Sequence, residues 1–390
     1  MDQRSGKTIN EKKRLHEAFW CGDGPSLILI PPARQDLGST GVSPVGPGST
    51  GVSPVGPGST GVSPVDSYDL RNYVRRFNDP RAMWESEMAR AAAVVDCPTD
   101  GIAAVRPNLG VIFIPAIVGQ GFGLSDSAMP WPGEPLGREQ IRAAASADVA
   151  HTEMMARAAA FYEIHRAGGG ECVAAYHADT QGVFNLAHLL YGEQIFVDLA
   201  DPDETAWMAE LMQISRELWV RVSSHLKTLL GEAAGSMIHA HGASQGVYFP
   251  SAGVRTTEDT ATLISPAMID TTIAPAVDAA AKPFGGAFVH FCGCHTGLLE
   301  RLCRLERTRA LDLGNPEMYD TEWVLRQCAA TGTVLCGGIA AQGGEDWRAY
   351  IARIAKLVKK TGARMILRPA VFPNTREEAA EMLETWHELT

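Results

Sequence analysis

The sequence has no long apolar run and no apolar segment at its amino terminus. Its longest apolar stretches, LILIPP (27–32) and GVIFIPAIVG (110–119), are far shorter than the roughly 20 residues that a membrane-spanning helix needs. The opening MDQRSGKTINEKKRLHEAFW is polar and charged and lacks the apolar core of a signal peptide. These absences predict a cytoplasmic protein without a membrane partner.

Positive charge is also scarce. Lys and Arg together number 34 against 45 Asp and Glu, which gives a formal net charge of −11. Nucleic-acid binding relies on a basic face that neutralises phosphates, and no RNP, zinc-finger or helix-turn-helix pattern is present. We therefore expect no nucleic acid among the partners.

Cysteine is present, but its spacing is too uneven for a disulfide framework. In a cytoplasmic protein these side chains are expected to be thiols. The eight positions are Cys21, Cys97, Cys172, Cys292, Cys294, Cys303, Cys328 and Cys336.

One segment repeats itself. From Gly38 to Val65 the chain reads GSTGVSPVGP twice and then GSTGVSPV. Gly, Ser and Pro dominate it, and valine alone buries too little apolar area to offset the entropy of ordering. We therefore predict a disordered surface-loop insertion over 36–66, within a single domain made of 1–35 and 67–390.

Short apolar runs, most of them bounded by Gly, Pro or Ser, alternate with segments of helical periodicity. Helical spacing is clearest over 138–167, 202–230 and 345–361. The predicted strands are 26–30, 110–114, 171–177, 236–241, 287–292, 309–313, 333–336 and 364–367. Eight such alternations predict an α/β fold, a (β/α)8 TIM-type barrel. A doubly wound sheet is the rival, weakened because no GxGxxG or GxxxxGK[ST] follows the first strand.

In a barrel of this kind the chemistry gathers at the carboxyl ends of the strands. The stretch HFCGCH ends the fifth predicted strand, and alternation along a strand places His290, Cys292 and Cys294 on one face. Imidazole and thiolate suit zinc, which needs only three protein ligands in a catalytic site. Two other interpretations stay open: a redox pair, although the spacing is CxC rather than CxxC, and cysteines that are merely buried.

Other polar residues end neighbouring predicted strands. His239 and His241 are candidates for catalysis, metal binding or substrate hydrogen bonding, or are core histidines satisfied by backbone. Asp179 is either a polar pocket residue or the cap of a helix. Glu258 and Asp259 fit the start of a helix.

Five segments carry a resemblance to a known family. They are KRLHEAFWCGDGPSLIL (13–29), ADTQGVFNLAHLLYG (178–192), EDTATLISPAMIDTTIAP (258–275), VHFCGCHTGLLERLCRLERTRALDLGNPEMYD (289–320) and TVLCGGIA (333–340). Together they resemble the uroporphyrinogen decarboxylase (URO-D) superfamily, and they are closer to its methylcobamide:coenzyme M methyltransferase-like branch than to the decarboxylase itself. The resemblance implies a (β/α)8 barrel with its site at the carboxyl end of the strands.

The methyltransferase branch holds zinc with an H-x-C pair and a later cysteine in a P-G-C context. His290 and Cys292 match the pair, whereas the later segment reads LRPAVFPN (367–374) and has no cysteine. The resemblance therefore leaves three possibilities. The third zinc ligand is Cys336 or Cys294, or the third ligand is a nearby histidine, or zinc binding is lost.

The function expected from this resemblance is zinc-dependent transfer of a methyl group between a corrinoid and a thiol. A corrinoid protein would be the partner, and Asp179, His239 and His241 would orient the substrate. One alternative is a tetrapyrrole decarboxylase, for which Arg34, Arg106, Arg255 and Arg368 would steer carboxylates, although the R-Q-A-G-R-Y segment of that enzyme is missing. Another is a barrel that binds a small molecule without catalysis.

Overall fold

The structure is a computed structural model that describes residues 7–33, 70–168 and 171–390. The predicted insertion over 36–66 and the candidate Arg34 lie outside these residues. The strands are β1 Leu27–Ile28, β2 Ile102–Val105, β3 Phe122–Gly123, β4 Trp131–Pro132, β5 Ala174–Ala175, β6 Met237–His239, β7 Gln245–Phe249, β8 Val254–Thr257, β9 Ala287–Phe291, β10 Thr308–Leu313, β11 Val334–Gly338 and β12 Met365–Arg368.

Helices separate most of these strands. They are α1 Ile9–Cys21, α2 Tyr73–Asn78, α3 Pro80–Val95, α4 Phe113–Ile117, α5 Arg138–Ala144, α6 Glu153–Gly168, α7 Val183–Tyr191, α8 Gln194–Ala200, α9 Thr205–Leu230, α10 Pro266–Met268, α11 Ala274–Ala281, α12 Thr296–Arg304, α13 Thr321–Thr331, α14 Trp347–Thr361 and α15 Arg376–Leu389. The helices predicted over 202–230 and 345–361 are confirmed as α9 and α14. The segment 138–167 forms two helices, α5 and α6, instead of one.

The strands form an α/β fold with a half-barrel of parallel strands. Six strands pair side by side in the order β1-β12-β11-β10-β9-β8, and each pair is parallel. A second sheet has the order β5-β2-β7-β6, with only β2 and β5 parallel. Within the described residues the two sheets do not pair into one closed ladder, so the barrel expectation is confirmed only as a TIM-like α/β arrangement.

One predicted strand is wrong. Residues 110–114 do not form a strand; this stretch leads into helix α4, and the second strand of the fold is β2, over Ile102–Val105. A short run that is apolar at every position has no periodicity to separate a strand from a buried helix. Two of the four β2 residues, Ala103 and Ala104, have low strand propensity, so the sequence pattern did not predict β2.

The strand predicted over 236–241 exists as β6, but it belongs to an antiparallel hairpin, β6–β7, which forms one end of the second sheet. On one face Met237, Val247 and Phe249 pack against side chains of the six-stranded sheet, including Leu29 and Phe288. On the other face, Ile238 and Ala240 pack with residues on or next to β2 and β5 of the same sheet, namely Ile102, Ala104, Ala174 and Tyr176. The hairpin therefore fills the core and brings its tip, residues 240–244, to the carboxyl ends of the parallel strands.

The described residues include no helix with both the length and the apolarity required to span a bilayer.

Candidate metal centre

Strand register places three site residues side by side. His290 in β9 is the register partner of Thr257 at the end of β8 and of Asp312 in β10. Because the strands are parallel, these positions and the loops after them meet at one edge of the sheet. Asp259, two residues beyond β8, and Cys292, one residue beyond β9, extend from that edge.

His290 has a different acidic or thiol neighbour at each ring nitrogen. Its Nδ1 lies 2.9 Å from Oδ2 of Asp312. Its Nε2 lies 3.4 Å from Sγ of Cys292 and 3.7 Å from Oδ1 of Asp259. Because a carboxylate only accepts, Nδ1 carries the proton, and the lone pair on Nε2 faces the thiol and the second carboxylate.

The chemistry of these donors fits zinc. The ligand atoms of Asp259, His290 and Cys292 all lie within 4.8 Å of one another. One nitrogen, one sulfur and one oxygen make the three-ligand set of a catalytic zinc site. The Asp259 side chain is 40% exposed, so the cluster is open toward solvent on one side. A histidine that donates its other N–H to a carboxylate is the usual support for such a site.

The Cys292 thiol lies in negative surroundings. Burial raises the pKa of Cys292, and the charges of Asp259 and Asp312 raise that pKa further. Without a cation the sulfur is therefore a neutral thiol, whereas a bound metal would hold it as a thiolate. The thiol also lies against Gly314, where a Cβ atom would overlap Sγ. Glycine at that position gives the sulfur its space.

His241 belongs to the same cluster. Its ring centroid is 4.1 Å from that of His290, and its Nε2 lies 3.6 Å from Oδ2 of Asp312. His241, His290 and Asp312 form a second group whose ligand atoms lie within 4.8 Å of one another. His241 adopts a φ of 51°, an uncommon conformation for a residue other than glycine. The hairpin tip is thus held in a strained turn beside the centre.

His239 is a buried histidine behind the cluster. Its Nδ1 accepts a hydrogen bond from the backbone N–H of His241 at 3.0 Å, and its ring meets Tyr176 edge-on at 5.1 Å. Burial lowers the pKa of both histidines well below the ordinary value, and nearby arginines lower it further, so both are neutral at pH 7. His239 is in neither ligand group.

Asp179 forms a turn and lies close to two arginines. Its Oδ1 accepts hydrogen bonds from the backbone and side-chain N–H groups of Gln181, at 3.1 and 2.8 Å. Arg106 and Arg255 approach its carboxylate to 3.7 and 3.9 Å. Burial acts to raise the pKa of Asp179, but the two cations and Gln181 outweigh it and keep the pKa low.

Two of the candidate ligands lie elsewhere. Cys336 is buried in the core with Phe288 and Ile366, where burial raises its pKa to about 12. Cys294 is exposed, and its thiol donates to the carbonyl of Met318 at 3.5 Å. Neither joins the ligand groups found among the described residues.

The sequence reasoning gave no ligand role to Asp259. It treated Glu258 and Asp259 alike as a helix start, and a short 3-10 helix does follow, over Asp259–Leu263. Their side chains nevertheless diverge. Glu258 is fully buried and accepts hydrogen bonds from the first N–H groups of α7, at Val183 and Phe184. The register of β8 against β9 brings Asp259 near His290, and Oδ1 of Asp259 accepts a hydrogen bond from the backbone N–H of Cys292 at 2.6 Å.

A cavity of about 490 Å³ lies at the opposite end of the strands. It is lined by residues that precede or begin β8, β10, β11 and β12, among them Ser251, Thr308, Gly332 and Arg364. None of the candidate site residues contributes to it, so it is separate from the centre.

No family model matches the chain, and no curated protein sequence matches it. Among solved structures, the chain is similar to a methyltransferase from Methanosarcina mazei, with a TM-score of 0.61. The similarity covers 97% of this chain and 98% of the other, at 13% sequence identity. At that identity the likeness shows a common fold along nearly the whole of both chains.

Proposed function

We propose that the protein is a zinc-dependent methyltransferase that moves a methyl group between a corrinoid and a small-molecule thiol. One observation carries the proposal: Nε2 of His290 faces Cys292 and Asp259 while its Nδ1 is held by Asp312. The similarity of the fold to that of a methyltransferase also supports the proposal. We also propose that the fold is a (β/α)8 barrel and that the protein is cytoplasmic. A corrinoid protein would be the methyl donor.

His290, Cys292 and Asp259 would hold the zinc, so that Asp259 would be the third ligand instead of the later cysteine used in the family the sequence resembles. Bound zinc would lower the pKa of a substrate thiol, so that the thiol ionises near neutral pH. The open side of the cluster, next to the partly exposed Asp259, is where the thiol would enter.

The remaining residues of the centre have supporting roles. Asp312 fixes the tautomer and the orientation of His290, and His241 packs against the ring of His290 and limits its movement. The reaction forms a sulfur–carbon bond, breaks the bond between the methyl group and its donor, and releases the thiol proton to solvent. No protein side chain has to become covalently modified.

The test is loss of methyl groups from methylcobalamin, followed by absorbance, with 2-mercaptoethanol as acceptor. We expect thiol-dependent demethylation by the zinc-loaded parent. Asp259→Asn should slow it at least about tenfold, because even the loss of a residue that only supports a metal ligand typically costs about 10- to 100-fold. Cys294→Ser, next to the centre but outside the ligand group, serves as the matched control and should keep the parent rate. Equal rates in the parent and in Asp259→Asn would contradict the ligand assignment.

A further inference from the structure

We infer that Asn185 on α7 is a positioning residue for Asp259, the oxygen ligand of the proposed zinc site. It acts through the backbone of Thr260, the residue that directly follows Asp259 in the chain. The inference rests on the proposed function and deepens it, because it names the side chain that holds the third ligand in place.

The residues on either side of Asp259 are both held by helix α7. Before it, the carboxylate of Glu258 accepts hydrogen bonds from the first N–H groups of α7. After it, the backbone N–H of Thr260 donates to Oδ1 of Asn185 at 2.9 Å, and Asn185 is only 5% exposed. Between these two contacts, the carboxylate of Asp259 accepts a hydrogen bond from the backbone N–H of Cys292. The segment 258–260 therefore connects α7 to the candidate metal centre.

The orientation of the Asn185 amide is fixed by its partners. A backbone N–H only donates, so the amide atom that faces Thr260 is the oxygen. The amide nitrogen of Asn185 then donates to Oε1 of Gln181 at 3.0 Å. The amide nitrogen of Gln181 donates in turn to the carboxylate of Asp179 at 2.8 Å, and a carboxylate only accepts. The two amides thus form a directed chain from Asp179 to Thr260, and neither can flip without losing these hydrogen bonds.

Gln181 anchors the other end of this chain in the core. Its φ is 56°, and its backbone carbonyl accepts a hydrogen bond from the indole N–H of the buried Trp219 at 3.1 Å. Its backbone N–H donates to Asp179 at 3.1 Å. Leaving a buried amide without a partner is destabilising, so both amides are held in this one arrangement. The position of Thr260, and with it that of Asp259, is therefore set from the core.

Asp259 is much more exposed than the histidine with which it would share the metal. Its side chain is 40% exposed, whereas that of His290 is 6% exposed. Packing therefore restricts the carboxylate less than the imidazole, and the backbone of 258–260 has to set its position. A metal site requires each ligand to be held close to its bound geometry by the residues around it. Asn185 supplies that support on the side of Asp259 that follows it in the chain.

The first measurement is zinc affinity of the full chain, by competition with a chelator. Asn185→Leu is nearly the same size but cannot accept the hydrogen bond of Thr260. We expect its zinc affinity to fall about tenfold, in the range typical of residues that support a metal ligand. Gln181→Met keeps the oxygen of Asn185 but frees its amide to flip, so we expect a smaller but measurable loss.

Gln120→Met is the matched control. Gln120 is also a buried amide, 3% exposed, and it also bonds to α7, since its nitrogen donates to the carbonyl of Leu189 at 2.9 Å. That contact is at the opposite end of the helix from Asn185. We therefore expect Gln120→Met to lower the melting temperature and to keep the zinc affinity of the parent.

Two further readouts separate positioning from a merely structural role. Hydrogen exchange is measured on the zinc-free protein, and Asn185→Leu should speed exchange of the Thr260 N–H, whereas Gln120→Met should leave it at the parent rate. Cobalt in place of zinc reports the coordination geometry through its visible absorption. The cobalt spectrum should change in Asn185→Leu and stay that of the parent in Gln120→Met.

The outcomes distinguish this inference from the proposed function. If the parent binds zinc, then parent-like zinc affinity in Asn185→Leu, or unchanged exchange at Thr260, would overturn the role of Asn185 and leave the metal site standing. If the parent binds no zinc, the proposed site fails and the inference falls with it. If Asn185→Leu does not fold, Gln181→Met decides, and zinc affinity equal to that of the parent would overturn the inference.

Discussion

Asp312 on β10 and His290 on β9 are register partners. The carboxylate of Asp312 accepts a hydrogen bond from Nδ1 of His290 at 2.9 Å. Both side chains are almost completely buried, at 7% and 6% exposed. The pair points the free nitrogen of His290 at Cys292 and Asp259. This hydrogen bond therefore orients His290 as one ligand of the candidate metal site.

Replacing Asp312 should weaken metal binding without removing a ligand of the proposed site. Asp312→Asn keeps the shape but loses the charge that fixes His290, so we expect zinc affinity to fall by about 10- to 100-fold. Competition with a zinc chelator measures the affinity. An unchanged affinity would mean that His290 is oriented by packing alone.

Glu258 should make stability depend on pH. Burial raises its pKa from the ordinary 4.5 to about 7, so the folded state holds this proton more tightly than the unfolded state. The contribution of Glu258 is therefore most favourable below pH 4.5 and is lost as pH rises through 7.

Other groups also titrate in this range, so the measurement is the difference between two proteins. The melting temperature of the parent minus that of Glu258→Gln should fall from about pH 5 to about pH 7 and level off above that. A difference that stays constant would show that Glu258 has an ordinary pKa.

Gly314 should be needed for metal binding because its missing side chain makes room for the thiol of Cys292. A Cβ atom at 314 would overlap Sγ, so Gly314→Ala should displace the sulfur and lower zinc affinity. Gly343→Ala is the matched control, since its Cβ would meet nothing within 4 Å and its φ is not positive. Zinc titration of both variants checks this, and equal affinities would argue against Cys292 as a ligand.

The other two candidate cysteines should not hold the metal. Cys336→Ser buries an extra hydroxyl in an apolar core, so we expect a loss of about 1–3 kcal/mol in the free energy of unfolding. Cys294→Ser is exposed and should change stability little. Both variants should contain as much zinc as the parent. Loss of zinc in either variant would show that the replaced cysteine is a zinc ligand.

Two of the three strands of the centre, β9 and β10, were predicted from the sequence, whereas β8 and the register between the strands were not. The apolar runs over 287–292 and 309–313 stand out because buried parallel strands are apolar at almost every position. His290 and Cys292 follow from alternation along β9. Asp259 could not be assigned, because its role depends on how β8 aligns with β9, which no local pattern encodes.

The arrangement of the hairpin β6–β7 also could not be predicted from local sequence patterns. The apolar residues of β6 are typical of a parallel strand, whereas the antiparallel position of β7 depends on its pairing with β2, which is distant in sequence. The position of His241 beside His290 is therefore a tertiary result. Strand periodicity could not place His241, because this residue lies in the turn beyond β6 with a φ of 51°.

The measurement that tests the account most directly is the zinc content of the purified protein, with a His290→Ala, Cys292→Ala double variant prepared in parallel. The account predicts about one zinc per chain in the parent and none in the folded variant. No zinc in the parent after refolding with the metal under reducing conditions, or zinc retained by the variant, would contradict it.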